Sequence, residues 1–399
     1  MWQKNVRYLD YNAGSGLSSF VQQKLIETLQ NSLASDSLLV NPSSLHRLGQ
    51  KVQHQLYQAS KKIAASLGEN VSTDELVFTS SGTESSQTVI RSCFEDANAV
   101  IIGAGEHSAS HGLLEEARNS KIKFTAELPL LSNGQYDLVK LQNYFAVLKE
   151  QGLSVVFLSL FWANNETGAL ADLVALKKVI DDSGLQVVLH LDGAQVWGKI
   201  ELNLIQTPAH FITFSAHKIG ALAGSGVIWM RKGTSLRPVF RGSQSRGLRA
   251  GTENAFGILA MGYAAESMNP QKFIEITGRL QSAFEAGLNE SGLPVRIWAQ
   301  ESKRVSNTTR FSMTSFHVYE NWVELLDLKG FAVSHGSACK SKVIEPSRVL
   351  LNMGASRADA LNSIRISFSP SNTIEDVQEL IIALKTIHAA KIETIGANP

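Results

Sequence analysis

The chain has 399 residues, 44% of them hydrophobic and 18% charged, a balance that suits a large globular core in two domains and excludes a disordered chain. A net charge of +1 with no basic stripe in either half argues against a nucleic-acid surface, and the longest apolar runs are too short to span a bilayer. The two cysteines, Cys93 and Cys339, exclude a disulfide framework and suit a reducing cytoplasm, and Met1 to Asp10 carries no apolar core or small-residue cleavage site, so no signal peptide is expected.

Tyr8-Leu9-Asp10 reads as a short strand that breaks into the loop Tyr11 to Gly16, which either lines a site or only turns the chain. An amphipathic helix is expected from about Ser18. Asn41-Pro42-Ser43-Ser44 is expected to cap a long scaffold helix, in which Leu45, Leu48, Val52, Leu56, Ala59 and Ile63 keep helical spacing until Gly68. Glu75 to Thr79 is a strand, and Ser80-Ser81-Gly82-Thr83-Glu84 then opens a helix. A small-residue turn at a helix N-terminus presents free N–H groups, so Gly82 and Thr83 either approach an anion such as a cofactor phosphate or form a plain helix cap. Cys93, beside apolar neighbours on this helix, reads as a small core residue.

Ala99 to Ile102 is the next strand. It ends near His107, a residue able to stack on a planar cofactor and to move protons near neutral pH. His111 follows at a spacing that suggests a metal pair, but no third ligand or general-base Glu accompanies it, so no metal is expected. Leu153 to Leu158 is a buried strand leading into the turn Trp162 to Gly168. There an Asn amide could hold a substrate carboxylate or the ring oxygen of a cofactor.

Leu189-His190-Leu191-Asp192 and His210 to Phe214 are apolar strands expected to be parallel neighbours one β-α-β step apart. They would deliver Asp192 and Lys218 to the same sheet edge, where ligands of α/β proteins sit. A buried lysine loses its charge readily and can form a Schiff base, while an Asp can pair with a pyridinium nitrogen. These are the two groups that pyridoxal phosphate most needs from a protein. The other reading is an N-capping Asp and an unrelated Lys.

Val227 to Met230 suggests a return strand, and Arg241 to Thr252 a Gly- and Arg-rich loop that reaches a phosphate, a subunit neighbour or only solvent. The pattern changes near Asn269-Pro270, and a smaller α+β unit follows: strand Thr309 to Met313, helix Trp322 to Leu328, strands Phe331 to Ser334 and Ile364 to Phe368, and a last helix from about Thr373. Arg365 on its strand either grips a carboxylate or serves a structural ion pair. Cys339 lies in a Gly/Ser loop with His335, Lys340 and Lys342, whose positive charge would lower its thiol pKa. The repeated β-α pattern predicts an α/β fold: a large domain, residues 17–265, with a mostly parallel seven-stranded sheet between helices, and a smaller α+β domain formed by residues 1–16 and 266–399.

Thr83-Glu84-Ser85, Asn164-Asn165-Glu166, Asp192 to Gln195, His217-Lys218, Arg249-Ala250-Gly251-Thr252 and Gly336-Ser337-Ala338-Cys339 together resemble the cysteine desulfurases of the class V aminotransferase family. These are fold type I pyridoxal-phosphate enzymes, and the segment from Cys339 to Ser347 is similar to the long cysteine loop of one of their groups. The resemblance implies pyridoxal 5'-phosphate as cofactor, Lys218 as its Schiff-base lysine, Asp192 on the pyridine nitrogen and Gln195 on the ring oxygen. It implies that His107 stacks on the ring and moves protons, and that Thr83, Ser215 and His217 hold the phosphate with Thr252 from the other subunit of a homodimer. Asn165 and Arg365 would orient the carboxylate of L-cysteine. Cys339 would take its sulfur as a persulfide for iron-sulfur cluster assembly or other thiolation, with a sulfur-acceptor or scaffold protein as a further partner. Selenocysteine lyase and aminotransferase are the alternatives within the same fold. The chain departs from the family's pattern at Asn12 to Gly16, Phe240 to Ser245, His335 and the tail after Ile387.

Overall fold

The structure, a computed structural model, describes residues 6–34, 40–316, 319–335 and 345–396. Twelve strands are found among them. Arg7–Tyr8 (β1) pairs in parallel with Phe331–Ala332 (β11). Val295–Trp298 (β9), Thr308–Met313 (β10) and Ser363–Ser367 (β12) form an antiparallel sheet in the order β12-β10-β9. The remaining seven are Leu76–Thr79 (β2), Ala99–Gly103 (β3), Phe124–Leu128 (β4), Val155–Phe161 (β5), Gln186–Asp192 (β6), Phe211–Ser215 (β7) and Gly226–Met230 (β8). They make one sheet in the order β2-β8-β7-β6-β5-β3-β4, parallel except for β8, which runs antiparallel to both neighbours. This is the expected mostly parallel seven-stranded sheet flanked by helices.

Strands β3, β5 and β7 are apolar along almost their whole length, as strands covered on both faces must be. Helix α1, Ser19–Ala34, and helix α2, Arg47–Leu67, lie outside the sheet. Val52, Leu56 and Ala59 of α2 pack on Ile258 and Leu259 of the helix Ala255–Ser267, each large side chain contributing about 1.5–3 kcal/mol by leaving water. Helix α2 starts later than the capping motif suggests. His46 accepts the Gly49 N–H at 3.2 Å, and Leu45 stays 91% exposed before the helix begins.

Helix α3, Gly82–Cys93, follows β2 directly and is capped by Ser81, whose hydroxyl accepts the Glu84 N–H. Cys93 at its end is half-buried beside the apolar cluster of this helix, and its desolvation pushes its thiol up to about 12, which fits the structural reading. The step from β6 to β7 differs from expectation. The strands are parallel and adjacent, but the crossover is a turn and a single 3-10 turn, Leu204–Gln206, with no α-helix. Gly193, Gly198 at φ +75° and Pro208 interrupt the stretch between them.

A second apolar cluster joins Leu9, Leu280, Phe284, Phe311, Trp322, Phe368 and Leu384, and is separate from the cluster on the seven-stranded sheet. The long helices Pro270–Glu290 and Ile374–Gly396 belong to the same part of the chain, and the first starts at the Asn269 cap where the sequence pattern changes. Among the described residues no helix is long and apolar enough to cross a membrane.

Candidate active site

A cavity of about 320 Å³ opens at the C-terminal ends of β5, β6 and β7, bounded on one side by α3 and on the other by Arg365 from β12. Lys218 reaches it from a short 3-10 turn, Ala216–Lys218, immediately after β7. Its Nζ donates to the carbonyls of Asn12 at 2.6 Å and Ala13 at 2.9 Å. Burial, helped by the Arg365 charge and opposed by Asp10 and Asp192, lowers its pKa to about 8. Asp192, the last residue of β6, lies on the same wall, and its Oδ1 accepts the Ala194 N–H at 2.9 Å. Gln195 follows one turn later, with Nε2 donating to the Asn12 carbonyl at 3.1 Å.

The far end of the cavity is built for an anion. Gly82 and Thr83 stand at the first turn of α3, where backbone N–H groups have no intrahelical acceptor. A Cβ at Gly82 would come to 3.1 Å from the Ser215 Cβ, so glycine keeps this corner open. Ser215 and His217 face it, joined by a 2.9 Å hydrogen bond between the hydroxyl and Nδ1, and burial with Lys218 beside it lowers the His217 pKa to about 4. His107 stands on the rim. Its Nδ1 accepts the Ala109 N–H, which leaves the ring proton on Nε2.

The turn after β5 is held by Asn164, whose Oδ1 accepts the N–H groups of Glu166 and Thr167, each at 2.9 Å. Gly168 closes it at φ +77°, and a Cβ there would approach the Thr308 Cβ to 2.9 Å. The turn brings Asn165 to the cavity wall. Its carbonyl accepts from Arg365 Nη1 at 2.9 Å, while Arg365 Nη2 pairs with Asp10 Oδ1 at 2.6 Å and Nε has no partner. The two sequence readings of Arg365 therefore meet in one residue, with an ion pair on one edge and an unsatisfied N–H left over.

Similarity to known proteins agrees with this geometry. A family model for aminotransferase class-V matches residues 7–380. The chain belongs to the aminotransferase class-V family. The cysteine desulfurase NifS of Azotobacter vinelandii is 32% identical over 382 residues, covering 94% of this chain and 90% of that protein. The cysteine desulfurase IscS of Dictyoglomus turgidum is 30% identical over 396 residues, covering 98% and 96%. A NifS-like protein from Rickettsia africae superimposes with a TM-score of 0.84 at 27% identity, over 96% of this chain and 99% of that one.

As in the family, the cofactor is pyridoxal 5'-phosphate. The residues fit that group: one amine and one carboxylate share a cavity whose opposite corner is a helix N-terminus with hydroxyls and no carboxylate lining it. Lys218, Asp192, Gln195, His107, Gly82, Thr83, Ser215, His217, Asn165 and Arg365 all line this one cavity. Thr252 does not. It lies exposed in the Arg-rich segment, where Arg249 pairs with Glu84 at 2.9 Å. Cys339 lies outside the described residues. His111 meets the Glu127 carboxylate at 3.0 Å.

Three residues beside the site carry no local motif. Asn12 is buried and is a hub for Gln195, Lys218 and Lys199. Lys199 is 1% exposed. Glu106, just before His107, accepts the Tyr136 hydroxyl at 2.9 Å, and burial together with Asp192 pushes its carboxyl up to about 8. Of the three, only Asn12 lies in a segment the sequence offers as lining a site, the loop Tyr11 to Gly16.

Proposed function

We infer that this protein is a cysteine desulfurase: it takes L-cysteine, leaves L-alanine and passes the sulfur to Cys339. The observation that carries the reading is that the Lys218 amine, the Asp192 carboxylate and the Arg365 guanidinium converge on one cavity. Arg365, with its free Nε, binds the substrate carboxylate and Asn165 flanks it. When bound, pyridoxal 5'-phosphate supplies the electron sink for a Cα proton's departure. Lys218, with its lowered pKa, takes that proton, and His107 Nε2 is placed at the rim to exchange protons with the substrate. The Cys339 thiolate attacks the substrate sulfur. The S–S bond forms as the Cβ–S bond breaks, Cys339 is left as a persulfide, and the three-carbon product is protonated to alanine.

Several further parts of the reading have their own support. The Thr252 position, exposed and outside its own cavity, suits a homodimer in which it serves the partner's phosphate corner. The apolar cluster drawn only from Leu9 and residues 280–387 supports a smaller unit of residues 1–16 with 266–399 beside residues 17–265, while Trp298, Val305 and Leu350 of that unit pack into the cluster on the large sheet. A reducing cytoplasm suits a chain with only two cysteines, one of them the proposed sulfur carrier. The acceptor in this reading is an iron-sulfur assembly or thiolation protein, as the resemblance of the Cys339 segment to the long cysteine loop implies.

Cys339→Ser is the test. The variant should keep the yellow, borohydride-reducible cofactor bond at Lys218 but lose alanine and sulfide formation from cysteine. Full turnover without the thiol would refute its role, and keto-acid formation in its place would indicate a transaminase.

A further inference from the structure

We propose that Lys199 is a positioning residue that fixes the Gln195 amide as a hydrogen-bond donor towards the cofactor's ring oxygen. This deepens the pyridoxal-phosphate reading and rests on it. Lys199 does not line the cavity but stands behind its wall, 1% exposed, and no described carboxylate pairs with it. A buried amine without a counter-ion is costly, so beside the Tyr11 ring 5.7 Å from Nζ its two hydrogen bonds must be good ones. They are: Nζ lies 2.5 Å from Gln195 Oε1 and 2.6 Å from Asn12 Oδ1.

The consequence follows from amide chemistry. With Oε1 held by Lys199, turning the Gln195 amide over would set its N–H groups against those of the lysine. Nε2 must therefore point away, to the cavity side, where it meets the Asn12 carbonyl at 3.1 Å. That carbonyl also seats the Lys218 amine at 2.6 Å, so one lysine behind the wall orders the donor and the turn that holds the other lysine. Burial, with Lys218 and Arg365 nearby, lowers the Lys199 pKa well below the usual range. The clamp survives the loss of charge, because a neutral amine still has two N–H groups for two acceptors.

The experiment is a double-mutant cycle on the full chain loaded with pyridoxal 5'-phosphate, with Lys199→Met, Gln195→Leu and both together. Cofactor affinity and the pH midpoint of the visible band are read alongside turnover. Each single variant should weaken cofactor binding about tenfold and displace the midpoint, as a lost buried hydrogen bond would. The double variant should be no worse than the poorer single by more than about threefold, since one residue acts through the other. Additive losses, or an unchanged band and affinity in Lys199→Met, would overturn the proposal. If Lys199→Met does not fold, Lys199→Gln, which can satisfy one amide, should give the same cycle at smaller amplitude, and additivity there overturns it equally. A native chain that forms no borohydride-reducible chromophore would overturn the cofactor reading itself, and the proposal with it.

Discussion

An amine serves as base and nucleophile near neutral pH only where its charged form is disfavoured, and Lys218 owes this to burial and to Arg365. Only the neutral amine attacks an aldehyde. Capture of pyridoxal 5'-phosphate by the cofactor-free protein should therefore speed up with rising pH through a midpoint near about 8, and a midpoint near the ordinary lysine value of about 10.4 would contradict this. Glu106 moves in the opposite sense. Its folded-state pKa of about 8 lies above the unfolded value of about 4.3, so its contribution to stability is present below about 4.3 and is lost as the pH climbs to about 8. Glu106→Gln keeps an acceptor for Tyr136 and cannot ionise, so its melting temperature should gain on the native protein across that window and run parallel above it. A constant difference at all pH values would show that Glu106 does not titrate there. Lys218 and Asp192 could be read from the sequence because Asp192 ends a strand and Lys218 follows one directly, and strand ends of a parallel sheet face one edge. Lys199 and Glu106 could not, and for Asn12 only its loop could, because the significance of all three lies in partners such as Gln195 and Tyr136 that only folding brings to them.

At the scale of elements, the helix Pro270–Glu290 is fastened to β10 by one buried cluster. Glu285 accepts both Arg304 Nη1 at 2.7 Å and Nη2 at 2.9 Å, and also the Thr309 hydroxyl at 2.7 Å. Glu285→Ala leaves a guanidinium unpaired where side chains are about a tenth exposed, and should cost about 3 kcal/mol in denaturant unfolding. Glu285→Met with Arg304→Met should recover most of that, since no charge is then left alone; equal losses in both variants would place the effect elsewhere. The inner strands of the seven-stranded sheet are legible because continuous apolar runs mark burial on both faces. Edge strand β4 of that sheet and edge strand β9 of the three-stranded sheet are not, since Thr125, Glu127 and Arg296 break their runs where one side meets solvent. The helix-free crossover between β6 and β7 was likewise hidden, because its length alone matches a β-α-β step.

For the whole molecule, the cavity is one half of what the proposed dimer needs. If Thr252 serves the partner's phosphate corner, Thr252→Asp on one subunit and Lys218→Ala on the other fall in the same cavity of a mixed dimer and leave the second cavity untouched. A hybrid purified by two tags should hold one intact cavity and regain activity that neither homodimer has. Hybrids as inactive as their parents would mean that Thr252 acts within its own chain. The central claim, that the Lys218 chamber delivers the sulfur of free cysteine to Cys339, is tested most directly with sulfur-labelled L-cysteine and mass measurement of the Cys339 peptide without reductant. The account predicts one added, thiol-labile sulfur atom on Cys339, with alanine formed in equal amount and neither seen in Lys218→Ala. Alanine accumulating while the Cys339 peptide stays unlabelled would contradict it.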